Sequence, residues 1–211
     1  MKIRLILFDL GGVIYTSDRH EAVRRFGSLG LKDAEHQLSM YTQTGLFGAL
    51  EEGKISDKEF VAQLSDEVGK SLSWDDCRLA WLGYATFLPQ RNLDVLLRLR
   101  HMGFRLALAS NTNPFMMSWI DSCDFDGKGN SIRSYLDELY VSYKIKALKP
   151  SPVFFEYILQ KEKVQAEDVL FIDDGPRNVE AAHSLGIHTV LAVNGEDWTE
   201  DVLRLCTQTD F

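Results

Sequence analysis

Two acidic segments stand far apart in the chain, each at the end of an apolar run. The first is Ile3-Arg4-Leu5-Ile6-Leu7-Phe8-Asp9-Leu10-Gly11-Gly12-Val13; the second is Asp168-Val169-Leu170-Phe171-Ile172-Asp173-Asp174-Gly175. An unbroken apolar run bounded by a turn signal predicts a fully buried strand of a parallel sheet. Ligands of open α/β sheets bind beyond the carboxyl ends of the strands. Asp9, Asp173 and Asp174 therefore predict one acidic site built from distant segments. Mg²⁺ suits such a site, because it favours a few carboxylates together with phosphate oxygens. Gly11 and Gly12 let the chain turn sharply and bring its backbone close to a ligand.

Two further segments fall at predicted strand ends, Ser110-Asn111-Thr112 and Lys149-Pro150. Together the four make a consistent chemical kit. A carboxylate can attack phosphorus as a covalent nucleophile. A hydroxyl and the N–H groups of a helix start can hold phosphate oxygens. A lysine can balance the charge of the transferring group, and a metal ion reduces the repulsion between carboxylate and phosphate.

The elements that must place these residues follow from pattern. Ile3–Phe8 is the first strand. From about Tyr15 to Leu88 the character is helical, with no strand-like alternation and with capping boxes at Ser56–Glu59 and Ser73–Asp76. Pro89 marks a return to alternating elements. These are a helix over Asn92–His101, a strand over Phe104–Ala109, and a helix with Asn113 as N-cap and Pro114 at N1. A short strand follows at Leu139–Ser142, then a helix at Pro152–Lys161 and a strand at Val169–Ile172. A helix at Asn178–Leu185 and a strand at Thr189–Val193 end the series. Strands alternating with helices predict an α/β fold, a Rossmann-like parallel sheet flanked by helices. The expected division is a core domain of residues 1–14 and 89–211 and a helical domain of residues 15–88.

Composition narrows the function. The 211 residues are 45% hydrophobic and 26% charged, enough for a substantial core in an ordinary soluble chain. A net charge of -8 argues against a nucleic-acid surface. Cys77, Cys123 and Cys206 are odd in number and without a CxxC pair, which predicts neither a disulfide framework nor a zinc site, but reduced thiols in the cytoplasm. The first apolar run is too short for a signal peptide, and Asp9 interrupts it. No stretch reaches the roughly 18 apolar residues of a membrane span. The composition sets no oligomeric state.

The order of motifs resembles the haloacid dehalogenase superfamily of hydrolases over nearly the whole chain. Asp9-Leu10-Gly11-Gly12-Val13 resembles its first motif, and Ser110-Asn111, Lys149 and Asp173-Asp174 its second to fourth. The segment between the first two motifs is where members with a small helical cap carry it. Glu52-Gly53-Lys54-Ile55-Ser56-Asp57 and Ser110-Asn111-Thr112-Asn113 are similar to the branch of cytosolic sugar-phosphate phosphatases typified by glucose-1-phosphate phosphatase. The resemblance implies Mg²⁺-dependent hydrolysis of a small phosphorylated metabolite through an aspartyl-phosphate. It implies that Asp9 is the nucleophile and a metal ligand, and that the Gly11 carbonyl and Asp174 are further ligands. Asp173 would reach the metal through water. Ser110, Asn111 and Lys149 would hold the phosphoryl group, and the cap would close over the rest of the substrate.

One position departs from the superfamily. Most of its phosphatases carry a second Asp two residues after the nucleophile, which protonates the leaving group and activates water. Here that residue is Gly11, as in the closer branch. Asp18, a cap residue or solvent could take over the role. The same gap keeps open a non-catalytic, phosphate-binding regulator. A 2-haloacid dehalogenase also lacks that Asp, but it does not keep the acidic pair found here at Asp173-Asp174.

Other features have plainer readings. Asp124–Asn130 faintly resembles a calcium loop but has Tyr135 where the bidentate Glu belongs, so it reads as a solvated turn. The five histidines have no ligand spacing. Trp74 and Trp81 share a helical face and are expected to pack the cap. Glu51-Glu52 with Lys54 reads as a solvated helix end, although that turn could reach the site.

Overall fold

Leu5-Ile6-Leu7-Phe8 lies at the centre of a sheet because each of its side chains is apolar and can be buried on either face. The structure, a computed structural model, describes residues 3–41 and 43–207. Its strands are β1 (Leu5–Phe8), β2 (Thr16–Ser17), β3 (Ala85–Phe87), β4 (Arg105–Ser110), β5 (Glu138–Val141), β6 (Val169–Asp173) and β7 (His188–Leu191). Five form one parallel sheet in the order β5-β4-β1-β6-β7.

Side-chain alternation divides this sheet between two cores. Leu5, Leu7, Ala107, Ala109, Val169 and Phe171 face one side, with Phe154, Phe155 and Ile158 over them. Ile6, Phe8, Leu106, Leu108, Leu170 and Ile172 face the other, under Leu96, Leu99 and Phe115. Such two-sided burial explains why these strands read as continuous apolar runs.

Among the described residues, five α-helices lie between β2 and β3: α1 (Arg19–Ser28), α2 (Ala34–Gln37), α3 (Gly45–Glu51), α4 (Asp57–Val68) and α5 (Trp74–Trp81). Both expected capping boxes close. Ser56 Oγ accepts from Glu59 N and Ser73 Oγ from Asp76 N, while each acid bonds back to the serine N–H at 2.7 Å. The interior of this segment is aromatic. Phe26 and Phe47 meet edge to face at 4.9 Å between ring centroids, and Phe47 and Phe60 at 5.1 Å. Phe60 continues to Phe115 at 5.5 Å, so the helical segment and the sheet share one core. Trp81 packs inside this cluster, as expected; Trp74 sits against Phe115 and donates to Asp57 Oδ2 at 2.8 Å.

One expectation needs correcting. The segment from Tyr15 to Leu88 is not wholly helical, because β2 and β3 pair antiparallel at its two ends. The strands are two and three residues long, too short to show a period-two pattern.

The remaining helices are α6 (Gln90–His101), α7 (Pro114–Ile120), α8 (Ser142–Ile145), α9 (Pro152–Glu162), α10 (Pro176–Ser184) and α11 (Thr199–Thr207). Asn113 caps α7 as expected, its Oδ1 accepting from Phe115 N and Met116 N at 3.1 Å each. No helix among the described residues is long and apolar enough to cross a membrane.

Candidate active site

The sheet register brings the acidic residues together. Phe8 pairs with Ile172 across β1 and β6, so the next residue on each strand is Asp9 and Asp173. The Asp9 N–H donates to Ile172 O at 2.9 Å, which continues the ladder one step past Phe8. Asp9, Asp173 and Asp174 each offer a carboxylate oxygen within 4.8 Å of the others.

Lys149 lies among them, fully buried. Its Nζ is 3.0 Å from Asp9 Oδ1 and 2.6 Å from Asp173 Oδ2. Burial works against the lysine's charge, but Asp173 and Asp9 outweigh it and hold its pKa above the ordinary value. The nearby Lys144 and Lys146 are exposed.

Asp173 has little capacity left for another ligand. Its Oδ2 takes the Lys149 ammonium, and its Oδ1 accepts from Gly175 N at 2.7 Å and Asn178 Nδ2 at 2.9 Å. Burial raises its pKa while Lys149 opposes the shift. Asn111 is committed as well. Its Oδ1 accepts from Lys149 N at 2.8 Å and its Nδ2 donates to Lys149 O at 2.9 Å. The side chain thus secures the lysine's main chain. Ser110 is buried at the end of β4 and lines the same cavity. Ser142, which the sequence reading missed, steadies the adjoining turn: its Oγ accepts from Thr112 N and donates to Thr112 O.

Asp174 lies beside this ion-pair network, its carboxylate bonded by its own backbone N–H. Burial pushes its pKa up to about 8, and the charges of Asp9 and Asp173 add to the rise. A divalent cation would relieve that crowding, so the donor set fits a metal ion. The backbone is shaped around it. Gly12 has φ +76°, and a Cβ there would sit 2.1 Å from Asp174 Oδ2. A side chain at Gly12 would be strained in conformation and would displace the Asp174 carboxylate.

The opposite wall comes from the helical segment and encloses a cavity of about 60 Å³. Glu51, at the end of α3, is 6% exposed and lines this cavity with Trp81, Tyr84 and Gln43. This corrects the reading of Glu51-Glu52 as a solvated end: Glu52 does pair with Lys54 at 2.7 Å, but Glu51 turns inward. Burial pushes the Glu51 carboxyl up to about 8; the Asn113 side chain opposes the shift, Asp9 adds to it and Lys149 reduces it. Tyr15 occupies the space that Gly11 leaves open, its hydroxyl 3.4 Å from where a Gly11 Cβ would be. Asp18, one candidate for the missing acid, is the N-cap of α1, bonded to His20 N and Nδ1, and does not line the cavity. Asp126 is occupied within its own turn by Lys128 N, Asn130 and Tyr135 Oη.

Comparison with known proteins places this geometry. The model of the haloacid dehalogenase-like hydrolases matches residues 3–186. The chain belongs to that family. This hydrolase is 42% identical over 200 residues to the D-ribitol-5-phosphate phosphatase of Bacteroides thetaiotaomicron, covering 95% of its own chain and 97% of the relative. A predicted HAD-like family hydrolase from Porphyromonas gingivalis superposes with a TM-score of 0.93 at 37% identity, over 99% of this chain and 100% of that one. A HAD family enzyme of B. thetaiotaomicron, solved with magnesium and inorganic phosphate, superposes with a TM-score of 0.83 at 30% identity, over 94% and 98%.

Proposed function

We propose that the protein is a Mg²⁺-dependent phosphatase that hydrolyses the phosphate monoester of a small sugar or polyol through an aspartyl-phosphate on Asp9. The observation that carries the reading is the buried Lys149 ammonium bridging Asp9 and Asp173, with the crowded Asp174 beside them. The D-ribitol-5-phosphate phosphatase relative supports the substrate class. The relative solved with magnesium and phosphate supports the metal.

In this reading Asp9, Asp174 and the Gly11 carbonyl would hold Mg²⁺, with Asp173 behind them as the anchor of Lys149. Bound there, the ion offsets the negative charge of the phosphoryl group. Asp9 attacks phosphorus, and the Lys149 charge stabilises the incoming dianion and the pentavalent transition state. Ser110 and the Asn111 N–H hold the phosphate oxygens, while the Asn111 side chain acts by fixing Lys149. Water then attacks the aspartyl-phosphate and restores Asp9.

Residues 15–88 act as a cap in this reading. A cavity of about 60 Å³ is small beside ligand sites of roughly 300–1,000 Å³. The sugar or polyol therefore enters with the cap displaced, and closure excludes water from the first step. Three cysteines, none in a disulfide, suit a reducing cytoplasm. The acidic chain, with no membrane-crossing helix among its described residues, suits neither nucleic acid nor membrane as partner.

The test is phosphate release from ribitol 5-phosphate, glucose 1-phosphate and p-nitrophenyl phosphate, with Mg²⁺, with EDTA and with Asp9→Asn. Release that requires Mg²⁺ and disappears in Asp9→Asn is the expected result. Tight phosphate binding by folded protein without any turnover would overturn the reading in favour of a regulatory binder.

A further inference from the structure

Hydrolysis of an alkyl phosphate needs a proton at the leaving oxygen and later a base for the attacking water. The first loop supplies neither, since Leu10, Gly11 and Gly12 carry no ionisable side chain. The other ionisable groups on the cavity wall are few. Asp9 is the nucleophile of the proposed reaction. Asp174 faces the metal position, and Lys149 is held by two carboxylates. Tyr15 and Tyr84 remain phenols, because burial drives both hydroxyls far above neutrality. Tyr41 is half exposed and shifted upward by burial as well.

Glu51 remains. The geometry points to its carboxyl as the general acid and base of the reaction, presented by α3 across the cavity from Asp9. This role rests on the phosphatase reading above.

Three features set Glu51 apart from a structural carboxylate. It is buried in the helical segment yet lines the same cavity as Asp9. Its environment is arranged from the core side by Asn113, whose Oδ1 is used to cap α7. That commitment fixes the amide and leaves Nδ2, fully buried, without a hydrogen-bond partner of good geometry. The Asn113 side chain draws Glu51 toward ionisation while burial resists it. The backbone just beyond Glu51 is also docked. Gly53 lies so close to the core that a Cβ would fall 2.1 Å from Tyr143 O. The groups that act on Glu51 from the packed elements are Asp9, Lys149 and Asn113, with the Tyr15 and Tyr84 hydroxyls feeling its charge. A carboxyl balanced near neutral pH can give a proton and take it back.

The steps balance. Asp9 forms a bond to phosphorus as the ester P–O bond breaks, and the protonated Glu51 gives its proton to the departing oxygen. The products are the alcohol, the aspartyl-phosphate and the Glu51 carboxylate. That carboxylate then takes a proton from water as the water oxygen bonds to phosphorus. The bond from phosphorus to Asp9 breaks, releasing phosphate and restoring both acids.

The experiment compares wild type, Glu51→Gln and Glu51→Asp on ribitol 5-phosphate and on p-nitrophenyl phosphate, whose leaving group departs without a proton. Circular dichroism and calorimetric titration with inorganic phosphate check that each variant is folded with an intact site. Glu51→Gln is expected to lower kcat on the alkyl ester by about 10²- to 10³-fold. On the aryl ester it is expected to release a burst of one p-nitrophenolate per enzyme, then turn over slowly for want of the base. Glu51→Asp should recover part of both losses. Equal losses on the two esters with no burst would overturn the role, as would an unchanged alkyl rate. If Glu51→Gln does not fold, wild type decides. Support is a burst rate on the aryl ester that stays flat from pH 7 to 9 while kcat on the alkyl ester falls; parallel profiles overturn the proposal. A wild type inactive on every ester overturns the phosphatase reading and this role with it, whereas an active wild type matched by Glu51→Gln overturns the role alone.

Discussion

Lys149 and Asp173 form an ion pair with no solvent exposure, 2.6 Å from Nζ to Oδ2. Asp173 is less a free ligand than the anchor of the lysine. Breaking a buried pair by removing one partner leaves an uncompensated charge and costs about 3–5 kcal/mol. Lys149→Met leaves Asp9 and Asp173 facing each other. We expect a loss of that size in urea unfolding at pH 7, and activity reduced more than about 100-fold. Asp173→Asn keeps an acceptor for Lys149 and leaves Asp9 as its counter-ion, so its stability loss should be smaller. A Lys149→Met protein within about 1 kcal/mol of wild type, the size of an exposed pair, would show that the ammonium does not hold these carboxylates.

The carboxylates also predict an unusual pH dependence of the metal-free protein. Burial, with Asp9 and Asp173, raises Asp174 to about 8; burial raises Asp173 to about 6 and Glu51 to about 8. An acid whose folded pKa is raised stabilises the fold below its unfolded pKa, and that contribution is lost as pH rises through the folded value. Stability in EDTA should therefore fall between pH 5 and pH 8. Mg²⁺ should oppose the fall: at one fixed concentration it should stabilise more at pH 8 than at pH 6, the gain being about 2.7 kcal/mol where that concentration is 100 times its Kd. Asp174→Asn should flatten the decline and remove most of the Mg²⁺ gain. Melting curves at the two pH values, with and without Mg²⁺, test this; a metal gain equal at both would count against carboxylate crowding.

What the sequence made legible follows from the range of each interaction. β1, β4 and β6 are buried on both faces, so their apolar runs identify them directly. The parallel register then aligns Asp9 with Asp173 one residue past the paired Phe8 and Ile172. Lys149, expected at a strand end beside Pro150, is buried, whereas the nearby Lys144 and Lys146 are exposed. Glu51 was not legible, because Glu51-Glu52-Gly53-Lys54 has the local pattern of any charged helix end. Only the docking of α3 onto the core buries one acid and leaves the other paired with Lys54. Asn111 was read as a phosphate contact, and its amide proved to bind the main chain of Lys149. Helix α11 was not predicted, though Trp198, Val202, Leu203 and Cys206 carry a helical spacing and are all buried.

Gly12→Ala tests the close approach behind Asp174. The substitution strains a left-handed backbone by about 1–2 kcal/mol, and its Cβ would overlap Asp174 Oδ2. Gly127→Ala is the control, since Gly127 has φ +67° but nothing within 4 Å of its Cβ position. Gly12→Ala should lose at least as much stability in denaturant as Gly127→Ala, and it alone should weaken Mg²⁺ binding in calorimetry by tenfold or more, about 1.4 kcal/mol. Equal Mg²⁺ affinities would mean that Asp174 can move aside and still bind.

Gly53→Ala separates docking of the helical segment from its folding. Gly53 has φ +69°, and its Cβ would lie 2.1 Å from Tyr143 O, a backbone atom that cannot swing away. The clash pushes the end of α3 off α8, and Glu51, two residues earlier, moves with it. Gly69 at the far end of α4 has φ +71° but open space around its Cβ position. Gly69→Ala should therefore lose about 1–2 kcal/mol of stability from strain and keep wild-type kcat. Gly53→Ala should lose more stability than that, because a backbone contact must also give way, and about 10- to 100-fold in kcat on ribitol 5-phosphate, the order expected when a reacting group is displaced by about 1 Å. Its phosphate affinity should remain, because Ser110 and Lys149 lie on the core. A Gly53→Ala enzyme with full kcat would show that α3 need not dock on Tyr143 for Glu51 to reach the substrate.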